Sequence, residues 1–242
     1  MKKILLHIGA NSDMGHAISL KFATHDYNLA AHYHTHHDNA AKLKTDAENK
    51  GAEVLLLQGD LTPEGVAENI VQQTMQRFSR IDLLINSIGP FLTDDLLEQT
   101  PKTWHEVMDL NLNVVYDTIY YAKKPLLAAK GSIINFGYAG VEFLQSKTEA
   151  TAFCAAKAGL VVLTKSLATR LAGAGVRVNM VCPGAVEESF HTEERKKEIA
   201  KDIPSARMGK HVEIASLVFW LAAESPAYIT GSMIPISGGW DY

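Results

Sequence analysis

The sequence predicts an α/β protein: a doubly wound parallel sheet of about seven strands, with helices on both faces. Two observations predict it. Short apolar runs alternate with longer segments of helical period along the whole chain. A glycine-bracketed turn, Gly9 to Gly15, also follows the first apolar run and leads into a helical pattern. The chain has 242 residues, 47% of them hydrophobic, which suits one domain over residues 1–242 with a large core, and no linker-like stretch interrupts it.

In chain order, the first strand runs from Lys3 to Ile8. Met1-Lys2-Lys3 before Ile4-Leu5-Leu6 imitates a signal peptide, but His7 breaks the apolar run and a glycine turn with Asp13 ends it, so it reads as a buried strand. Further strands are predicted over Asn28 to Tyr33, Glu53 to Leu57, Asp82 to Ile85, Ser132 to Phe136, Arg177 to Val181 and Met233 to Pro235. Helices fill the intervals. Pro63 and Pro101 mark helix starts, because proline's missing N–H is no loss at the first helical position. The longest helical patterns cover Trp104 to Lys130 and Thr151 to Ala172.

The net charge of -4, with Lys and Arg scattered along the chain, argues against a nucleic-acid surface. Arg195-Lys196-Lys197 is flanked by Glu193, Glu194 and Glu198 and reads as a solvated helix face. No apolar stretch approaches the roughly 20 residues of a bilayer span, so no membrane partner is expected. Cys154 and Cys182 show no metal-type or disulfide spacing, which fits a reducing cytoplasm.

A strand, a tight glycine turn and a helix N-terminus make an anion site, because free N–H groups and the helix dipole both face a phosphate. Gly9-Ala10-Asn11-Ser12-Asp13-Met14-Gly15 has that form. It is followed by Gly59-Asp60-Leu61, Asn86-Ser87-Ile88-Gly89, Asn111, Gly131-Ser132-Ile133-Ile134-Asn135 and Val178-Asn179-Met180-Val181-Cys182-Pro183-Gly184, each at or near a strand end or on a helix. In that order and spacing the chain resembles the short-chain dehydrogenase/reductase family from about Lys3 to Gly239, closest in pattern to its 3-oxoacyl-acyl-carrier-protein reductases. The resemblance implies a Rossmann fold and a nicotinamide cofactor. It places Gly9, Asn11, Ser12, Met14 and Gly15 at the pyrophosphate, Asp60 and Leu61 at the adenine, and Asn86, Ser87, Ile88 and Gly89 at the adenosine ribose and sheet centre. Pro183, Gly184 and Val186 match the turn beside the nicotinamide. Asp13 stands where the family has a glycine: its carboxylate either repels the pyrophosphate or turns outward and caps the helix, and the outward reading is favoured.

An acid at the end of the second strand would accept the ribose hydroxyls of NAD and reject a 2'-phosphate. Tyr33, His34 and Thr35 stand there instead, which favours NADP(H); histidine is only partly charged at neutral pH, so the preference is modest and NAD also fits. The run His32-Tyr33-His34-Thr35-His36-His37 tempts a metal reading, but alternate strand residues face opposite sides, and a phosphate-facing or solvated loop is preferred.

In the family a tyrosine donates the proton, a lysine lowers its pKa and holds the nicotinamide ribose, a serine orients the carbonyl and an asparagine backs the lysine. Lys157 matches the lysine and Asn111 the asparagine. The serine position holds Tyr138, and the tyrosine position, four residues before Lys157, holds Phe153. Tyr138 is long enough to reach the space that Phe153 leaves, where Lys157 would lower its pKa and make it the proton donor. The expected activity is reduction of a small-molecule or acyl-carrier carbonyl; the alternatives are a noncatalytic nucleotide-binding scaffold and an enoyl reductase. Enoyl reductases carry a tyrosine where Tyr138 stands, but Ala150 occupies the position of their principal tyrosine. Phe91, Phe143, Leu144 and Phe190 suggest an apolar mouth. The C-terminal strand and the two long helices imply a homotetramer, as in the family.

Overall fold

Parallel strands joined by helices leave every strand's C-terminal end on one edge, and that edge positions the site. The computed structural model describes residues 2–240. Its elements are β1 (Lys3–Ile8), α1 (Asp13–Ala23), β2 (Tyr27–Tyr33), α2 (His37–Glu48), β3 (Val54–Gln58), α3 (Val66–Phe78), β4 (Leu83–Asn86), α4 (Pro101–Met108), α5 (Val114–Ala129), β5 (Ser132–Phe136), α6 (Thr151–Leu171), β6 (Arg177–Pro183), α7 (Glu193–Ala200), α8 (His211–Phe219) and β7 (Met233–Ile236). The sheet order is β3-β2-β1-β4-β5-β6-β7, and each pairing is parallel. Chain direction across the sheet reverses between β1 and β4, the switch point where such folds open a crevice.

Alternation along the strands divides the core into two layers. On β1, Leu6 and Ile8 pack with Ile70 of α3, Ile119 of α5 and Leu160 of α6. Leu5 points the other way, to Ile18 and Phe22 of α1 and Ile214 of α8. The predicted strands stand within a residue or two of the observed ones, β6 reaching Pro183 because Cys182 and Pro183 still pair with β7.

The proline expectations divide. Pro101 is at the start of α4, where Thr100 caps the helix by accepting from the Thr103 amide. Pro63 does not start α3: its carbonyl accepts from Val66 N in a turn, and Gly65 at φ +84° redirects the chain before the helix begins. The pattern from Trp104 to Lys130 is not one α-helix either. A π-turn, Asp109–Asn113, separates α4 from α5. There the Asn111 side chain donates to the Val107 carbonyl at 3.0 Å, and a side chain inserted into the backbone ladder is an established cause of such breaks. Contrary to expectation, residues Thr151–Ala174 are long and apolar enough to cross a membrane by length and composition. Ala156, Leu160, Thr164 and Ala168 are buried on one face of this helix, and Leu160 and Ala168 pack in the core beside β6, so it is the inner helix of the α/β layer.

A chain of buried hydrogen bonds fastens the sheet centre to its helices. Thr118 of α5 donates to Asn86 Oδ1, Asn86 donates to Asn135 Oδ1, and Asn135 donates to Thr164 of α6, each at 3.0 Å. Satisfied polar groups in a low-dielectric interior fix one arrangement, and abandoned ones are costly. Asn135→Ala would strand the Asn86 amide and remove a partner of Thr164, so the urea midpoint should fall by the equivalent of about 2 kcal/mol or more with the slope unchanged. An unaltered midpoint would show that the chain of bonds contributes nothing net.

Candidate active site

The cofactor side of the edge begins at the turn after β1. Gly9 has φ +84°, and a Cβ on it would lie 2.5 Å from the Ser87 carbonyl oxygen; a Cβ on Gly15 would lie 2.4 Å from the Gly9 oxygen. Only glycine lets β1, β4 and α1 approach this closely. Ser12 caps α1 by accepting from Gly15 N at 3.0 Å, and the amides of Asp13 and Met14 in the first turn have no intrahelical partner to satisfy them. These features fit a pyrophosphate. Asn11 donates to the Thr35 carbonyl at 2.6 Å and ties this turn to the loop after β2.

Asp13 does not cap the helix, because Ser12 already does. Its carboxylate instead accepts from the Ser189 amide at 3.0 Å, anchoring the segment after β6. Hydrogen bonding from Ser189, its side chain first and its amide next, holds the Asp13 carboxyl below its usual range, helped by the nearby His211 and His16. Glu188, next to Ser189, faces His211 at 3.5 Å, and this contact raises the imidazole's pKa. Nothing local to Asp13 signals this link, which spans almost the whole chain.

After β3, where the adenine is expected, Asp60 accepts from the Thr62 amide and hydroxyl at 3.0 and 2.8 Å, and the amide bond holds its carboxyl below the usual range. Leu61 is buried in the core with Ala67 and Ile70. Tyr33, at the end of β2, meets His37 Nδ1 at 3.2 Å, while His34 and Thr35 are exposed beyond it. The histidine run fans out: His32 is buried with Nε2 on the Gly59 carbonyl at 2.9 Å, and burial pulls it down to about 4. Asn86 is buried and committed to the chain of bonds already described.

Ser87 leads to a residue that sequence reasoning missed. His7 is wholly buried between Ser87 Oγ and Ser19 Oγ, each at 2.8 Å. With its proton on Nε2 it donates to Ser87, which donates in turn to the Ile8 carbonyl at 3.2 Å. Burial lowers its pKa to about 3, so it is a neutral bridge between β1, α1 and β4. The signal was the polar side chain inside an apolar strand.

Asn111 and Lys157, the expected reacting pair, both meet the loop after β4. Gly89, at φ +118°, lies so close to Asn111 that a Cβ would be 2.0 Å from its Oδ1. Asn111 donates to the Pro90 carbonyl at 3.1 Å, and its buried Oδ1 has no partner. Lys157, 3% exposed on α6, makes a long hydrogen bond of 3.4 Å to the Ile88 carbonyl. Burial pulls its ammonium down to about 7. Its Nζ is 5.7 Å from the centre of the Phe153 ring.

Phe153 is sandwiched. The Tyr138 ring lies 5.6 Å from it at a 36° tilt, and the Phe91 ring meets it edge-on at 5.0 Å. The expectation that Lys157 lowers the Tyr138 phenol is not met. Burial, followed by the hydrogen bond with Cys154, pushes that phenol above its ordinary range. On the far side, Gly184 N donates to the Ile236 carbonyl at 3.0 Å, a Cβ on Gly184 would lie 2.9 Å from Ser237, and Val186 bridges to Gly209. Pro183 closes β6 beside them.

The profile of the family described as Enoyl-(Acyl carrier protein) reductase matches residues 9–241. The chain is 30% identical to 3-oxoacyl-[acyl-carrier-protein] reductase FabG of Staphylococcus aureus, over 99% of this chain and 98% of that protein. It superposes on a short-chain dehydrogenase/reductase from Serratia marcescens with a TM-score of 0.92 at 26% identity, covering 99% and 98% of the two chains. A blue fluorescent protein from a metagenomic library, in complex with NADPH, gives 0.89 at 26% identity over 98% and 97%. With a likeness that runs from the first glycine turn to the last strand, the chain belongs to the short-chain dehydrogenase/reductase family and is an oxidoreductase.

Proposed function

We propose that the chain is a single-domain, NADP(H)-dependent reductase of a carbonyl, either a ketoacyl group on a carrier or a small ketone or aldehyde, and that Tyr138, Lys157 and Asn111 carry the chemistry. The observation behind this reading is the placement of the Tyr138 ring against Phe153, which sets a phenol beside the position where the family's hydroxyl is missing. A nicotinamide bound at the strand edge would supply the hydride. The protein's own task is then to deliver a proton to the oxygen that becomes negative.

A phenol raised above its ordinary range stays protonated at neutral pH and is still a stronger acid than an alcohol, so Tyr138 can serve the developing alkoxide. Lys157, near neutrality, can return the proton or hold the ribose, and Asn111 fixes Gly89 and the Ile88 carbonyl that the lysine uses. The dinucleotide would be held by Gly9, Asn11, Ser12, Met14 and Gly15, by Asp60 and Leu61, by Ser87, Ile88 and Gly89, and by Pro183, Gly184 and Val186.

The absence of an acid at Tyr33, His34 and Thr35 supports NADP(H), as does the NADPH in one structural relative. Exposed Tyr116 and Tyr120 on α5 and Val162 on α6 support assembly of these helices against copies of themselves into a homotetramer. Two free cysteines suit a reducing cytoplasm.

Titration by cofactor fluorescence should show NADPH binding more tightly than NADH; equal or stronger NADH binding would contradict the reading. In sedimentation the protein should run as a tetramer, and a stable monomer at micromolar concentration would oppose that. Tyr138→Phe should lower kcat on an accepted carbonyl by about a hundredfold or more while NADPH affinity stays within about twofold, as for a group that acts in the transition state. Full activity in that variant would assign the proton to another donor, and inertness of the parent across ketoacyl, enoyl and small carbonyl substrates would favour the scaffold.

A further inference from the structure

Asp13 is an acid at a turn whose backbone attracts anions. As the first residue of α1 it contributes one of the helix's free amides, while its side chain carries a charge that would repel what those amides bind. The structure turns that charge aside: Asp13 Oδ2 accepts from the Ser189 amide at 3.0 Å. Next to Ser189, Glu188 Oε2 lies 3.5 Å from Nε2 of His211, the first residue of α8. Two helices therefore grip adjacent residues of the loop after β6.

The ends of that loop are fixed separately. Gly209 N donates to the Ala185 carbonyl and Glu187 N to the Gly209 carbonyl, both at 2.9 Å, and at the far end Thr192 caps α7. Between these anchors the loop bonds to itself: Glu188 N donates to His191 Nδ1 at 3.1 Å, and His191 N donates to the Glu188 carbonyl at 3.0 Å. Phe190 at the tip is exposed. A segment pinned at its ends and closed on itself moves as one piece when its outer contacts break. We propose that Asp13 and His211 are positioning residues that clasp the loop Glu187–His191 against the glycine turn, and that this clasp sets how fast a dinucleotide leaves the turn.

The clasp depends on pH through His211. Glu188, then Asp13 of α1 and Glu187 of the loop, face its imidazole and hold it above the ordinary 6.5. The other cations lining the groove between α1, α2 and α8 are engaged elsewhere: His16 Nε2 meets Asp46 of α2 at 3.1 Å, Lys42 pairs with the same carboxylate, and Lys21 lies over the Phe219 ring. Glu213, on the same helix as His211, is paired with Arg207. Asp13, held below its ordinary 3.8, stays charged near neutrality. The grip of His211 is thus fully present below 6.5 and is lost as the pH rises through the higher folded value. Release should quicken in the same direction.

This inference rests on the cofactor reading for release but not for the clasp, and the experiment separates them. In the cofactor-free protein, amide exchange followed by NMR would give the protection of Ser189 in the parent, Asp13→Ala and Asp13→Asn, with circular dichroism confirming each fold. Protection should fall about tenfold or more in Asp13→Ala and largely survive in Asp13→Asn, whose side-chain oxygen still accepts. Asp13→Ala removes the clasp and the repelling charge together, so the His211 variants carry the release measurement. By stopped-flow displacement, NADPH and NADH should leave His211→Gln about tenfold faster than the parent near pH 6, and the parent should approach the variant's rate near pH 9. His211→Lys keeps its charge over that range and should stay slow throughout. Titrations of the 2'-phosphate and of Lys157 are common to all these proteins and cancel in the comparison. Unchanged Ser189 protection in Asp13→Ala, or equal release from His211→Gln and the parent near pH 6, overturns the inference even if carbonyl reduction is found. Protection that depends on Asp13, in a parent that binds neither NADPH nor NADH, sustains the clasp and overturns the cofactor reading instead.

Discussion

A lysine buried without a carboxylate beside it governs this site. Among the described residues, Lys157 hydrogen-bonds to the Ile88 carbonyl, and its Nζ lies 5.7 Å from the centre of the Phe153 ring. Desolvation therefore dominates and favours the neutral amine. The folded pKa is below the unfolded one, so protonation opposes folding: the penalty is fully present below about 7 and fades as the pH rises toward the ordinary lysine value. In a relative with a tyrosine four residues earlier, a phenol would share this environment. Here the aromatic ring without a hydroxyl leaves the amine as the titrating group nearest neutrality in the cleft.

The scaffold that buries the lysine is held by close approaches. Gly9 against the Ser87 carbonyl locks β1 to β4 at the switch point, and His7 ties β1 to the end of β4 through Ser87 and to α1 through Ser19. Gly89 against Asn111 sets the loop that carries the Ile88 carbonyl, while the Asn111 amide also breaks the helix into α4 and α5. One asparagine thus couples helix geometry to the partner of the lysine. The Asp13 to Ser189 bond extends the coupling to the loop after β6, so the glycine turn after β1 and that loop are mechanically joined.

Much of the fold was legible because parallel strands buried on both faces must be continuous apolar runs, as in Ile4-Leu5-Leu6 and Ile133-Ile134. The glycine turns were legible because so few residues tolerate such approaches. Partners distant in sequence were not. Period alone reads Trp104 to Lys130 as one helix, since the π-turn depends on where the Asn111 side chain finds its carbonyls. Asp13 reads as a cap, because nothing local reveals Ser189. The Tyr138 pKa was misjudged because the length of a side chain suggests which groups it can reach, whereas its burial and the Cys154 contact depend on packing. Phe91 was legible as part of an apolar mouth, but not that its ring would meet Phe153 edge-on, since that depends on packing of the loop after β4.

Lys157 is a buried amine whose charged form is disfavoured chiefly by desolvation. Carbon NMR of the cofactor-free protein with labelled lysine ε-carbons, assigned by comparison with Lys157→Met, measures this directly. One lysine should titrate near 7 and be absent in the variant. A Lys157 resonance that stays at the ordinary value of 10.5 would contradict it.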